Sequence, residues 1–235
     1  LRGPDDGPGL ARVAAALEDL RVREQLHRAR IGLVGVPSDW LVASVPAASA
    51  VRETWGPEVV PAELGPLLDA PLRPADDATA GLAAAFTTGA ATVRETDEAG
   101  VTTAASVLPA LQALAARERL DAVAVRCFDL VTERGTSGCL ALSALNDAGT
   151  VAACEGDLAS AVAMLWVKEL LGTASWMANP SDADAVTGRL RLAHCTVPRS
   201  LLSGWDLRSH FESGLGVALA GALPPGPVTL LRLGG

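Results

Sequence analysis

Leu10, Val13, Leu17 and Leu20 recur at helical spacing, with Arg and Glu on the other face up to about Arg28, so the first regular element reads as an amphipathic surface helix. Residues 31–36 (Ile-Gly-Leu-Val-Gly-Val) are wholly apolar and end at Pro37-Ser38-Asp39. This is the mark of a strand buried on both faces that opens into a loop, and the helix is expected to pack on its sheet. Between residues 51 and 74, Pro57, Pro61, Pro66, Pro71 and Pro74 leave room only for short pieces such as Glu58-Val59-Val60. Helical patterns return at about 76–88 and 98–118, the second with a kink or break expected at Pro109.

Residues 121–128 read as another buried strand, 137–146 as a helix, 150–154 as a strand, and 158–171 as a helix apolar nearly all round and closed by Gly172. After Pro180 the pattern changes to short β-type runs at 189–195, 207–211, 216–220 and 228–233. The expected fold is therefore α/β: a parallel α/β layer followed by a β-rich, antiparallel, barrel-like part. The boundary is drawn at residue 130, giving an α/β domain (1–130) and a partial C-terminal domain (131–235).

Composition narrows the functions. Hydrophobic residues make up 49% of the 235 positions and charged residues 20%, which excludes disorder throughout. The formal net charge is -8, and Lys168 is the single lysine, so a nucleic-acid partner is not expected. The longest nearly uninterrupted apolar run is read as residues 158–167, about half the roughly 20 residues that span a bilayer, so no membrane helix is expected. Cys127, Cys139, Cys154 and Cys195 form no C-x-x-C pair and sit in apolar surroundings, which reads as small buried thiols of a cytoplasmic protein. The start at Leu1 without a basic-then-apolar leader, and the stop at Gly235 directly after a strand-like run, suggest a piece of something longer.

The chain has no G-x-G-x-x-G, G-x-x-x-x-G-K-[ST] or G-x-S-x-G pattern to support dinucleotide, phosphate-loop or nucleophile-elbow chemistry. His27 lies on the charged helix face and reads as solvated. His194 and His210 end apolar runs in the β-rich part, a place where structural histidines are common. Glu155-Gly156-Asp157 is the most informative triplet: two carboxylates follow a buried strand at its carboxyl end, the usual ligand position in open α/β sheets. Asp157 is also explained as the N-cap of the helix that starts at Leu158. Capping gives no reason for Glu155, whose desolvation needs a cation or donor beside it.

These residues carry a resemblance. Cys154-Glu-Gly-Asp157, the helix ending Lys168-Glu-Leu-Leu-Gly172 and Ser175-Trp-Met-Ala-Asn-Pro180 resemble the site segment of L-fucose isomerases and, more distantly, L-arabinose isomerases. Leu192-Ala-His-Cys-Thr-Val-Pro198, Leu207-Arg-Ser-His-Phe-Glu-Ser-Gly214 and residues 226–235 resemble the motifs that follow, and residues 30–40 resemble the start of that family's middle domain.

The resemblance implies a metal-dependent aldose–ketose isomerase, with Mn²⁺ the usual ion, a sugar as substrate and a homo-oligomeric assembly. It places the metal ligands at Glu133, Glu155, Asp157 and His194, the catalytic carboxylates at Glu155 first and Glu133 second, and sugar contacts at Asn179, Arg208 and His210. The ion would stabilise an enediolate while a carboxylate of raised pKa moves the proton between C2 and C1. Ala178 stands where arabinose isomerases carry a second catalytic Glu, so the alternative is a non-catalytic sugar- or metal-binding relative. A further ligand histidine of both families falls beyond Gly235, so the chain alone is expected to bind Mn²⁺ weakly and to lack isomerase turnover. Glu155, Asp157 and His194 are expected to converge on one cleft.

Overall fold

The computed structural model describes residues 6–73 and 76–234. The break expected at Pro74 and the two chain ends, residues 1–5 and Gly235, lie outside these.

Helix α1 (Gly7–Arg28) starts on Asp6, whose side chain accepts a hydrogen bond from the Gly9 amide, with Pro8 in the first turn. The apolar stripe behaves differently from expectation: Leu17 and Leu20 are 61% and 57% exposed, and the buried positions are Gly9, Val22 and Leu26. The helix reaches the core only through its last two turns, so Leu10, Val13, Leu17 and Leu20 face outward.

Strand β1 (Arg30–Val34) follows, then α2 (Ala48–Thr54), β2 (Glu58–Ala62) and α3 (Gly65–Leu68). Pro61 lies within β2, which is tolerated because β2 is the edge strand and pairs only with β1. Helix α4 (Asp77–Gly89) and strand β3 (Ala90–Val93) come next. The long apolar segment after them divides, as Pro109 requires, into α5 (Glu98–Ala105) and α6 (Leu108–Glu118). By length and composition alone residues Glu98–Glu118 are also long and apolar enough for a membrane span, with mean hydropathy 1.4, unlike the shorter run at 158–167. Here Val101, Ala104, Leu108 and Leu111 of this stretch are buried in the protein core.

Strand β4 (Ala122–Val125) is shorter than the expected 121–128, because the chain turns at Cys127 into α7 (Phe128–Arg134). Helix α8 (Cys139–Asp147), strand β5 (Val151–Ala153) and helix α9 (Leu158–Leu171) then follow. Gly172 ends α9 in the left-handed conformation, φ 66°. Strands β2-β1-β4-β5 form one parallel sheet. Its β5 and the covering α9 both lie beyond residue 130, so this layer extends across the boundary drawn from the sequence. Asn146 locks β5 in place: its side chain exchanges hydrogen bonds with both the amide and the carbonyl of Ala152, at 2.9 and 2.8 Å.

The β-rich part consists of β6 (Asn179–Asp184), β7 (Arg189–Ala193), β8 (Gly204–Arg208) and β9 (Ala218–Ala222). β6 and β7 form an antiparallel hairpin, and β9 lies antiparallel to β8. β3 from the first half pairs parallel with β8, a long-range pairing that the local pattern did not announce. The run at 228–233 forms no strand. Its Val228 and Leu230 are 70% and 65% exposed, and β8 already has both neighbours, β3 and β9.

Candidate functional site

Strands β1, β4 and β5 run parallel, so their carboxyl ends open on the same edge, and the loops leaving them carry Trp40, Cys127 and Glu155. The β-rich part closes this edge from the other side with His194 and Cys195, just past β7, and His210, just past β8. Between them lies a cavity of about 240 Å³ lined by Cys127, Phe128, Cys154, Glu155, Asn179 and Ser181, with Ala193, His194, Cys195, His210, Phe211 and Glu212 opposite. A larger cleft of about 580 Å³ beside α1 and the end of α9 holds Arg21, Glu18 and Lys168, where Arg21 and Glu18 pair with each other.

The Glu155 turn is conformationally unusual. Glu155 and Gly156 both have left-handed backbones, φ 63° and 70°. The Glu155 carbonyl accepts from the Ser38 amide (2.8 Å), and the Gly156 amide donates to the Val125 carbonyl (2.9 Å). A non-glycine residue held in this region is a form of strain that concentrates at functional sites. The turn places Glu155 Oε1 3.7 Å from His194 Nε2, while Oε2 accepts a 2.6 Å hydrogen bond from the Trp40 indole N–H. The other imidazole nitrogen of His194 faces the Thr196 hydroxyl at 3.0 Å.

These contacts move the titrations. The neighbouring His194 imidazole, 3.7 Å away, holds the Glu155 carboxyl below the usual range, against partial burial and with help from the Trp40 hydrogen bond. This corrects the expectation of a raised Glu155 pKa, because its neighbours donate to the carboxylate. Burial disfavours the His194 imidazolium, but the adjacent Cys195 sulfur and Glu155 carboxylate overcome it and raise the pKa to about 10.

Behind this pair lies a group of thiols. Cys139 Sγ stands 3.2 Å from Cys195 Sγ, and both sulfurs and a ring nitrogen of His210 lie within 4.8 Å of one another. The Cys139 thiol donates to Cys195 and lowers its pKa, with Cys154 nearby adding to the effect, while the pKa values of Cys139 and Cys154 are raised. All four cysteines are buried and free, as their apolar surroundings led one to expect.

The residues singled out from the sequence divide. Glu155, His194, Asn179 and His210 line the one cavity. Asp157 is buried, and its Oδ1 accepts from the Ser160 amide at 2.7 Å as the N-cap of α9. Glu133 is exposed on α7 and is not part of the cavity wall. Arg208 is exposed and paired with Glu95, also outside the wall. Of the expected convergence of Glu155, Asp157 and His194, the structure brings together Glu155 and His194, and the Asp157 carboxylate serves the helix. Trp40 and the thiols were not assigned a role from sequence. A usable signal did exist: Cys127 and Cys154 sit at the carboxyl ends of buried strands, where Glu155 also sits.

No protein-family model matches the chain. It is 31% identical over 144 residues to a sulfoquinovose isomerase of Alkalicoccus urumqiensis, a match covering 59% of this chain and 32% of that protein. It is 29% identical over 122 residues to the sulfoquinovose isomerases of Priestia aryabhattai and Priestia megaterium, covering 49% of this chain and 27% of each of those. These matches agree with the expected resemblance at the level of sugar isomerases and do not carry it to L-fucose isomerases in particular. The chain is thus similar over about half its length to curated sulfoquinovose isomerases, and it spans about a third of the length of these relatives.

Proposed function

We propose that this chain supplies part of the active site of an aldose–ketose isomerase acting on a sugar, with sulfoquinovose the first candidate because the similar proteins are named for it. The observation that carries the reading is the Glu155 carboxylate facing the His194 imidazole at 3.7 Å, in a small cavity at the carboxyl edge of a parallel sheet.

One carboxylate and one imidazole suit a divalent cation of the Mn²⁺ class, so Glu155 and His194 are the residues that would hold it, the ion displacing the proton that His194 carries without it. When bound, such an ion would polarise sugar oxygens and stabilise an enediolate. Glu155 would take the C2 proton and return it to C1, since of the two carboxylates in the wall, Glu155 and Glu212, it is the half-buried one that faces His194. Trp40 fixes its Oε2, and Thr196 fixes the far side of His194. Asn179 offers hydrogen bonds to hydroxyls, and Phe128 and Phe211 offer apolar faces to the sugar ring, whereas the His210 ring, expected to contact sugar, is turned to the Ser213 hydroxyl and the two sulfurs. Asp157 serves the site by bracing the turn. Glu133 and Arg208 would need another part of the protein, or a movement, to reach substrate.

A second reading is a sugar- or metal-binding relative without turnover. It is favoured by the lowered proton affinity of Glu155, which weakens it as a base, and by Ala178 in place of a second glutamate.

The test uses the intact protein that carries this chain, incubated with sulfoquinovose and Mn²⁺ in deuterated water and followed by proton NMR. Ketose formation with deuterium at its C1, and deuterium at C2 of the recovered aldose, are expected, and both are expected to vanish in Glu155→Gln. Binding of the sugar without exchange would establish the second reading, and neither binding nor exchange would overturn both.

A further inference from the structure

We propose that Cys139, Cys195 and His210 form a binding site for a Zn²⁺-type cation, separate from the Glu155–His194 pair and independent of the isomerase reading. Three donors from distant parts of the chain meet here: the first residue of α8, the second residue past β7 and the second residue past β8. Their ligand atoms lie within 4.8 Å of one another, and all three residues are buried. Two sulfurs and one imidazole nitrogen make a borderline-to-soft donor set, which prefers Zn²⁺ to a hard ion such as Mn²⁺.

The spacing agrees with this. With Zn–S bonds of about 2.3 Å in a tetrahedral arrangement, two ligating sulfurs stand roughly 3.8 Å apart. Cys139 and Cys195 Sγ atoms are 3.2 Å apart, so a small rotation of either side chain opens the pair to ligating distance. His210 is oriented as a ligand imidazole is: its Nδ1 lies 3.1 Å from the Ser213 hydroxyl, which leaves Nε2 for the ion. The remaining polar neighbour of Nε2, Glu212, stands off at 3.9 Å.

Three protein ligands leave a fourth position open to water or to a donor from the cavity, whose wall includes Cys195 and His210. The same two sulfurs could instead be oxidised to a disulfide. The third donor favours the metal, because a disulfide gives no reason for an imidazole converging on the pair. Bound Zn²⁺ would also tie α8 of the parallel layer to the β-rich part, reinforcing the contact in which the Ser137 hydroxyl donates to the Val217 carbonyl and accepts from the Val217 amide.

The experiment uses the full chain, reduced with a phosphine and stripped of metal, titrated with Co²⁺ alone and then with Zn²⁺. Expected are one Co²⁺ per chain, an intense thiolate-to-cobalt charge-transfer band, and displacement of that band by one equivalent of Zn²⁺ but not by Mn²⁺. The band should be lost in Cys139→Ser and Cys195→Ser and retained in Glu155→Gln, which separates this site from the proposed sugar site. On the unmodified chain, Zn²⁺ should slow alkylation of Cys139 and Cys195 at least tenfold, read by mass spectrometry, so a serine variant that fails to fold leaves the question decidable. Co²⁺ uptake without a thiolate band, a band that survives Cys139→Ser, or, after the phosphine is removed and a disulfide oxidant is added, a Cys139–Cys195 disulfide forming at the same rate with and without Zn²⁺ would each overturn the proposal.

Discussion

Gly156 is the position at which a single added methyl group should do most damage to the Glu155 turn. Its backbone is left-handed, φ 70°, and a Cβ there would fall 2.8 Å from Pro37 Cα and 3.1 Å from the Val36 carbonyl oxygen. Both are main-chain atoms, so no side chain can swing aside, and the loop that carries Ser38 and Trp40 must move. Gly156→Ala therefore incurs about 1–2 kcal/mol for the left-handed conformation and roughly 1–3 kcal/mol for overpacking. The expected total is on the order of 2–5 kcal/mol. Gly172→Ala is the matched control: φ is 66°, and nothing lies within 4 Å of an added Cβ, so the conformational part alone applies. Urea denaturation followed by circular dichroism measures both, with the midpoint shift read at unchanged slope. Equal losses in the two variants would refute the contact argument and show that the loop at 36–40 is free to yield.

Leu26→Ala, at 5% exposure, should cost about 2–5 kcal/mol, whereas Leu17→Gln on the outward stripe of α1 should stay within about 0.5 kcal/mol, both by the same denaturation assay. Asp157→Ala should cost about 0.5–2 kcal/mol through loss of the cap on the Ser160 amide, with Asp157→Ser recovering most of it; no recovery in thermal melts would mean the carboxylate has another duty. Hydrogen bonds from the Thr79 amide and hydroxyl lower the Asp76 pKa below its ordinary 3.8. That contribution is present above the unfolded value and disappears as pH falls through the folded one. The stability gap between the natural chain and Asp76→Ala should therefore be constant near neutrality and close below about pH 3.8, as acid-series melts would show.

The parallel layer was legible in the sequence because its strands are buried on both faces and its helices have plain ends. The apolar runs at 31–36 and 121–128 mark the central strands β1 and β4, though both strands end before the runs do, Asp157 and Gly172 bracket α9, and Pro109 divides α5 from α6. The Glu155 turn was legible for a related reason: a carboxylate directly after a buried strand needs a partner, whatever the partner is. What faces it was not, since His194 lies far along the chain and reaches Glu155 only through the docking of β7 on the sheet edge. The orientation of α1 was decided the same way. Its periodic leucines promise a buried stripe, but α9 and the core behind it offer apolar surface only to Val22 and Leu26. The pairing of β3 with β8 and the meeting of Cys139, Cys195 and His210 likewise depend on contacts between segments remote in sequence. Local pattern reports which residues avoid water and where the backbone must turn. Which of them touch is set by how the layers pack, because side chains from separate elements share a site only after those elements have buried their apolar faces against each other.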